Sequence, residues 1–105
     1  MKALVLSAAG GLVHSVELDF TTDFEKIQQL VGGDIEVVTV LWNDKPATLC
    51  VNEEGAPRHL QPNARATALY WTATIKGITG VPFSPLTDPL IYGNAVLFPV
   101  DKRRL

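Results

Sequence analysis

The sequence contains little of the chemistry that cysteine and histidine supply. Its one cysteine, Cys50, excludes a disulfide within the chain. The two histidines, His14 and His59, are far apart and have no partners at the spacing of zinc ligands. A chain without disulfides is typical of a reducing compartment, so we expect a cytoplasmic location and neither a metal nor another cofactor.

An excess of charge and long apolar runs are also missing. Nine basic against eleven acidic residues give a formal net charge of -2, which is too balanced for a protein that coats nucleic acid. No segment approaches the roughly 20 apolar residues that a spanning helix needs. Residues 1–10 resemble a signal peptide, but their removal would delete a predicted strand, so we expect neither secretion nor a membrane segment.

The composition that remains is that of one folded unit. The chain has 105 residues, of which 47% are hydrophobic. A chain of this length can bury one core but not two. We therefore expect a single domain over residues 1–105.

Hydrophobic patterning in the first half predicts a hairpin followed by a helix. Strands at residues 2–7 and 13–20 flank a glycine turn, and alternation places His14 on the apolar face of the second. Thr22 and Glu25 match a capping box, in which the Thr22 hydroxyl accepts from the backbone N–H of Glu25. The helix that begins there is expected to end at Gly32-Gly33.

The second half predicts the same kinds of element. Residues 34–42 are apolar on both faces beyond Glu36, which favours a central strand, and residues 47–52 complete a second hairpin. Asn63 is a natural N-cap for a helix to about Thr72, although the stretch after Leu69 also alternates like a strand. With a last strand at residues 91–100, the order β-β-α-β-β-α-β predicts an α+β domain: a mainly antiparallel sheet with two helices on one face.

Polar side chains concentrate where the second hairpin leads into the second helix. The candidates for a ligand-binding site are Asn52, Glu53, Glu54, His59, Asn63 and Arg65. A helix N-terminus with an arginine beside it could bind an anion, which would suit a small-ligand-binding domain or an enzyme. The structural alternative is a turn in which Gly55 adopts a positive φ angle and the glutamates stay hydrated. A catalytic pair of Cys50 and His59 is disfavoured because such a cysteine is usually buried and inert.

The segment 76–90 is long, rich in proline and apolar. Its candidate partner-binding residues are Ile78, Val81, Phe83, Leu86 and Leu90. Either these side chains contact a protein partner or a second copy of the chain, or they cover one end of the protein's own core. Tyr70 and Trp71 with the basic residues 102–104 could stack on single-stranded nucleic acid, but the acidic net charge disfavours that partner.

Several segments resemble a family of small proteins from bacteria and, especially, phages of actinobacteria. These are residues 1–5, 30–36 and 92–97, Asn52-Glu53-Glu54-Gly55, and Leu60-Gln61-Pro62-Asn63-Ala64-Arg65-Ala66-Thr67. That family is known only as a domain of unknown function. The resemblance implies a phage or mobile-element setting and brings no established activity with it.

No nucleophile accompanied by a base and an orienting group is recognisable in the sequence. We therefore expect a non-enzymatic accessory protein of phage type that binds a host or phage macromolecule in the host cytoplasm. A protein is the expected partner, a homodimer is one form of such binding, and inhibition of a host defence system is one specific role. A ligand-binding domain or enzyme with its site at the junction of residues 52–65 remains the alternative.

Overall fold

The computed structural model describes residues 1–11, 13–78 and 90–99, which form one five-stranded sheet with two helices. The elements are β1 (Lys2–Leu6), β2 (His14–Glu17), α1 (Phe24–Val31), β3 (Ile35–Trp42), β4 (Lys45–Asn52), α2 (Ala64–Ile75) and β5 (Ala95–Phe98). The strand order is β2-β1-β5-β4-β3, and all four neighbouring pairs are antiparallel. The predicted element order, antiparallel sheet and α+β class are confirmed.

The two helices pack on opposite faces of the sheet. Ile27 of α1 belongs to a buried cluster that includes Cys50, whereas Ala66 of α2 belongs to another that includes Leu49. Successive residues of a strand point to opposite faces, so Leu49 and Cys50 place α2 and α1 on different sides. The prediction of both helices on one face is wrong. Residues 47–52 and 95–98 are all buried because β4 and β5 are covered on both faces of the sheet.

The strand predicted to be central, β3, lies at an edge, and β5 occupies the centre. Both faces of β3 are apolar because each is covered by a helix. Val37 packs with the cluster on the α1 side, while Val38 and Val40 pack with the cluster on the α2 side. Apolar residues on both faces of β3 therefore indicate that both faces are covered by helices. They do not indicate that the strand has a neighbour on each side.

The start of α1 differs from the predicted capping box. Asp23 is the N-cap residue and forms no side-chain capping bond. The Thr22 backbone N–H donates instead to the carboxylate of Asp19, which also accepts from the N–H and the hydroxyl of Thr21 at 2.8 and 2.6 Å. Asp19 thus organises the turn before the helix. The predicted end is confirmed, since Gly32 has a left-handed φ of 87°.

The predicted N-cap of α2 is confirmed. The Asn63 side chain accepts from the N–H of Ala66 at 3.0 Å. The helix continues beyond the predicted end at Thr72 to Ile75, which removes the extended alternative. None of the helices in the described residues is long and apolar enough to cross a membrane.

Candidate functional site

Asn52, the first of the predicted site residues, is buried at the end of β4 and holds two backbone groups. Its Nδ2 donates to the carbonyl oxygen of Val31 at 3.1 Å, and its Oδ1 accepts from the N–H of Glu54 at 2.8 Å. The first bond ties the end of β4 to the last turn of α1. Both ends of the amide are thus engaged within the fold.

Asn63 is also buried and is bonded in three directions. Besides capping α2, its Nδ2 donates to the carbonyl oxygens of Leu6 and Gly93, both at 2.9 Å. The side chain therefore joins the start of α2 to the end of β1 and to the segment before β5. Asn63 acts as a structural connector, with its amide hydrogens directed at protein oxygens.

The other predicted site residues are exposed and do not share one pocket. Glu53 borders a cleft of about 150 Å³ together with Asn52, Glu36 and Tyr70. Asn63 and Arg65 border two other grooves, described below, whereas Glu54 and His59 border none of these three. The structure thus distributes the six candidates instead of gathering them in one pocket. The described part of the chain holds no group of three or more His, Cys, Asp or Glu side chains that could bind a metal.

The thiol of Cys50 lies inside the core between the sheet and α1. Burial raises the pKa of this thiol to about 12, so it is protonated at neutral pH. His59 is exposed at a left-handed φ of 55°. A buried neutral thiol and an exposed imidazole do not make a catalytic pair. His14, expected on an apolar face, is exposed as well.

The turn at residues 53–59 uses Gly55 for a reason that differs from the predicted one. Gly55 has no positive φ; instead, a Cβ atom there would lie 2.7 Å from the carbonyl oxygen of Tyr92. The turn and the segment before β5 therefore approach so closely that a side chain does not fit. This contact, like the bonds of Asn63, assigns the 52–65 junction a role in holding the fold together.

Sequence reasoning overlooked the outward surface of α2. No charged residue occurs between Arg65 and Lys76, so beyond its first turn the helix has no charge on its solvent side. Ala64 and Ala68 are exposed there, and Ile75 is 63% exposed. The solvent side of a surface helix usually carries charged and polar residues. The absence of charge from residue 66 to residue 75 is the sequence feature from which this surface could have been predicted.

Two apolar grooves flank this surface, one on either side of Ala68. The first, which we call the α2–Trp42 groove, has a volume of about 400 Å³. It is lined by Leu6, Val13, Trp42, Arg65, Ala68, Leu69 and Thr72. The second has about 370 Å³ and is lined by Pro62, Asn63, Ala64, Thr67, Ala68, Trp71 and Leu90. The solvent side of α2 is thus an apolar ridge between two apolar depressions.

The residues predicted to bind a partner can be located only in part. Ile78 and Leu90 are both exposed, and Leu90 borders the second groove beside α2. Val81, Phe83 and Leu86 lie outside the described residues. The two that are described therefore adjoin the apolar surface of α2 or its C-terminal end.

Comparison with known proteins identifies a family but no characterised relative. No curated protein and no solved structure matches the chain. One family does match, and the match extends over residues 1–103, which includes every helix and strand described above. The resemblance noted in the sequence is thereby confirmed at the level of a domain of unknown function. The chain belongs to the family described as Domain of unknown function (DUF3846).

Proposed function

We propose that this chain is a non-enzymatic protein-binding module that contacts its partner through the outward surface of α2. The observation that carries the proposal is the exposure of an apolar helix face: Ala64, Ala68 and Ile75 face solvent on a helix without a charge between Arg65 and Lys76. Contiguous apolar surface on a folded domain marks sites of association. Grooves on both sides of the ridge give a partner's side chains somewhere to enter.

The polar residues of the molecule support binding over catalysis. The side-chain amides of Asn52 and Asn63 are hydrogen-bonded to backbone groups, and the thiol of Cys50 is buried and protonated. Catalytic groups need to converge on a point that a substrate can reach. The side chains best suited to chemistry here either support the backbone or face solvent at separate places.

The resemblance to proteins of bacteria and actinobacteriophages supplies the biological setting of the proposal. We place the partner among host or phage proteins in the host cytoplasm. A component of a host defence system, inhibited by the contact, is the most specific form. A second copy of the chain is the alternative partner for the same apolar surface.

The proposal is tested by photo-crosslinking in a bacterial cell. A benzophenone amino acid replaces Thr72, which is exposed and lines the α2–Trp42 groove, and in a matched variant it replaces Glu25, which is exposed on α1 at the opposite face. We expect a discrete protein adduct from position 72 and none from position 25. Ala68→Asp, which puts a charge in the middle of the ridge, is expected to abolish that adduct.

The outcomes separate the forms of the proposal. An adduct of twice the chain mass would identify the homodimer, and one of another mass would identify a different partner. The same adducts from both positions, or none from position 72 in a folded protein, would contradict docking through α2.

A further inference from the structure

Arg65 is the one charged residue among those that line the α2–Trp42 groove. Leucine, valine, tryptophan and alanine side chains supply nearly all of the remaining wall. The volume of about 400 Å³ lies in the range of sites that hold small ligands or several side chains of a partner. An occupant that fits this groove is therefore apolar over most of its surface and has one group complementary to a guanidinium.

The position of Arg65 on its helix adds to the positive potential. Arg65 lies in the first turn of α2, two residues after the cap at Asn63, and that turn contains no acidic residue. The N-terminal end of a helix carries a partial positive charge, so a cation there is unfavourable unless an anion offsets it. None of the ion pairs formed by residues 1–11, 13–78 and 90–99 includes Arg65. The groove therefore presents an unneutralised positive charge at its rim.

We propose that the α2–Trp42 groove binds a segment of a partner protein in which apolar side chains stand next to a carboxylate, and that this carboxylate pairs with Arg65. The proposal rests on the proposed function, because it names the chemistry of the partner at the same surface. Apolar side chains of the segment occupy the space between Trp42 and Leu69, while an aspartate, a glutamate or a chain terminus reaches the guanidinium. Arginine pairs with carboxylates through two parallel N–H···O bonds, which makes the contact selective as well as attractive.

The experiment uses the whole protein as bait for a library of random displayed peptides. The enriched peptides are synthesised together with versions in which each acidic residue is replaced by its amide and any free C-terminal carboxylate is also amidated. Binding of each pair is measured by titration with wild-type protein, with Arg65→Glu and with Arg58→Glu. Arg58 is the matched control because it is an exposed arginine that borders neither groove. A glutamate at position 65 is compatible with folding, since an acid in the first turn favours a helix.

We expect enriched peptides that combine apolar residues with a carboxylate and that shift the methyl signals of Leu6 and Leu69 in NMR spectra. Removing the carboxylate or reversing the charge of Arg65 should weaken binding at least tenfold, while Arg58→Glu should change it less than twofold. Equal binding of acid and amide peptides, or of wild type and Arg65→Glu, would overturn the pairing but leave protein binding through α2 in place.

Two further results would also decide the matter. If decanoate bound in the groove more tightly than every enriched peptide, the assignment of a protein segment as occupant would be wrong. If no peptide bound while position 72 still gave its crosslinked adduct, an apolar segment with a carboxylate would be ruled out as the occupant of the groove although the proposed function would survive. Failure of both experiments would overturn the two proposals together.

Discussion

Replacement of Asn63 by alanine tests the most connected side chain of the structure. The change removes the cap of α2, which is worth about 1 kcal/mol. It also leaves the buried carbonyl oxygens of Leu6 and Gly93 without the amide that donates to them at 2.9 Å, and such lost partners cost about 1–3 kcal/mol. We expect the free energy of unfolding to fall by about 3 kcal/mol, against the roughly 1 kcal/mol that the loss of a cap alone would give.

A second variant separates the cap from the two donated bonds. Aspartate is as good an N-cap as asparagine, but its carboxylate cannot donate to a carbonyl oxygen. We therefore expect Asn63→Asp to be at least as destabilised as Asn63→Ala in urea unfolding. The matched control is Asn94→Ala: Asn94 is exposed and accepts one bond from the N–H of Ala8 at 2.9 Å, so its replacement should cost no more than about 1 kcal/mol.

The result that would refute this reasoning is a stable Asn63→Asp protein. Wild-type stability in that variant would mean that the cap accounts for the role of the residue and that the bonds to Leu6 and Gly93 contribute nothing. A loss in Asn63→Ala of only about 1 kcal/mol would likewise leave the cap as the whole role of the residue, and unchanged stability of Asn63→Ala would refute even the cap.

Three further predictions concern other parts of the molecule. Cys50, whose pKa is raised to about 12 by burial, should react with a disulfide reagent at pH 8 only after denaturation, and rapid labelling of the native protein would contradict this. Hydrogen bonds from Thr21 lower the pKa of Asp19 from 3.8 to about 2; the contribution of this carboxylate to stability is therefore complete above pH 3.8 and is lost as the pH falls through 2. Asp19→Asn should remove that part of the acid-unfolding profile, so superimposable profiles would be inconsistent with it. Gly55→Ala, which brings a Cβ to 2.7 Å from the carbonyl oxygen of Tyr92, should destabilise the fold by about 1–3 kcal/mol in urea, and an unchanged midpoint would disprove the close contact.

Features that depend on neighbouring residues could be predicted from the sequence. The cap at Asn63 and the end of α1 at Gly32 each depend on a residue type and the few residues around it. The capping box of Thr22 failed although it is also local, because the Thr22 N–H bonds to Asp19, which competes from outside the motif. A capping box thus predicts the start of a helix only where no side chain earlier in the sequence accepts the backbone N–H groups that the motif would use.

Features that depend on distant pairing could not be predicted in the same way. The alternation of β3 shows that two faces are covered, but it does not identify the strand beside it. The partners of Asn52 and Asn63 lie 21 and 57 residues away in the chain at Val31 and Leu6. Without those partners, a buried asparagine that supports the backbone resembles an asparagine that binds a ligand. The outward surface of α2, by contrast, could have been predicted from the sequence, because no charged residue occurs between Arg65 and Lys76.

The central position of β5 determines when the sheet can close during synthesis. β1 with β2 and β3 with β4 form two local hairpins, and β5, which follows them all in the chain, pairs with β1 on one side and β4 on the other. Until residues 95–98 leave the ribosome, each hairpin retains an open inner edge, and Val96 and Phe98 are missing from the core beneath α1. Folding is therefore expected to wait for the C-terminal strand, and a protein truncated before residue 95 should leave two unjoined hairpins that are prone to pair with other chains.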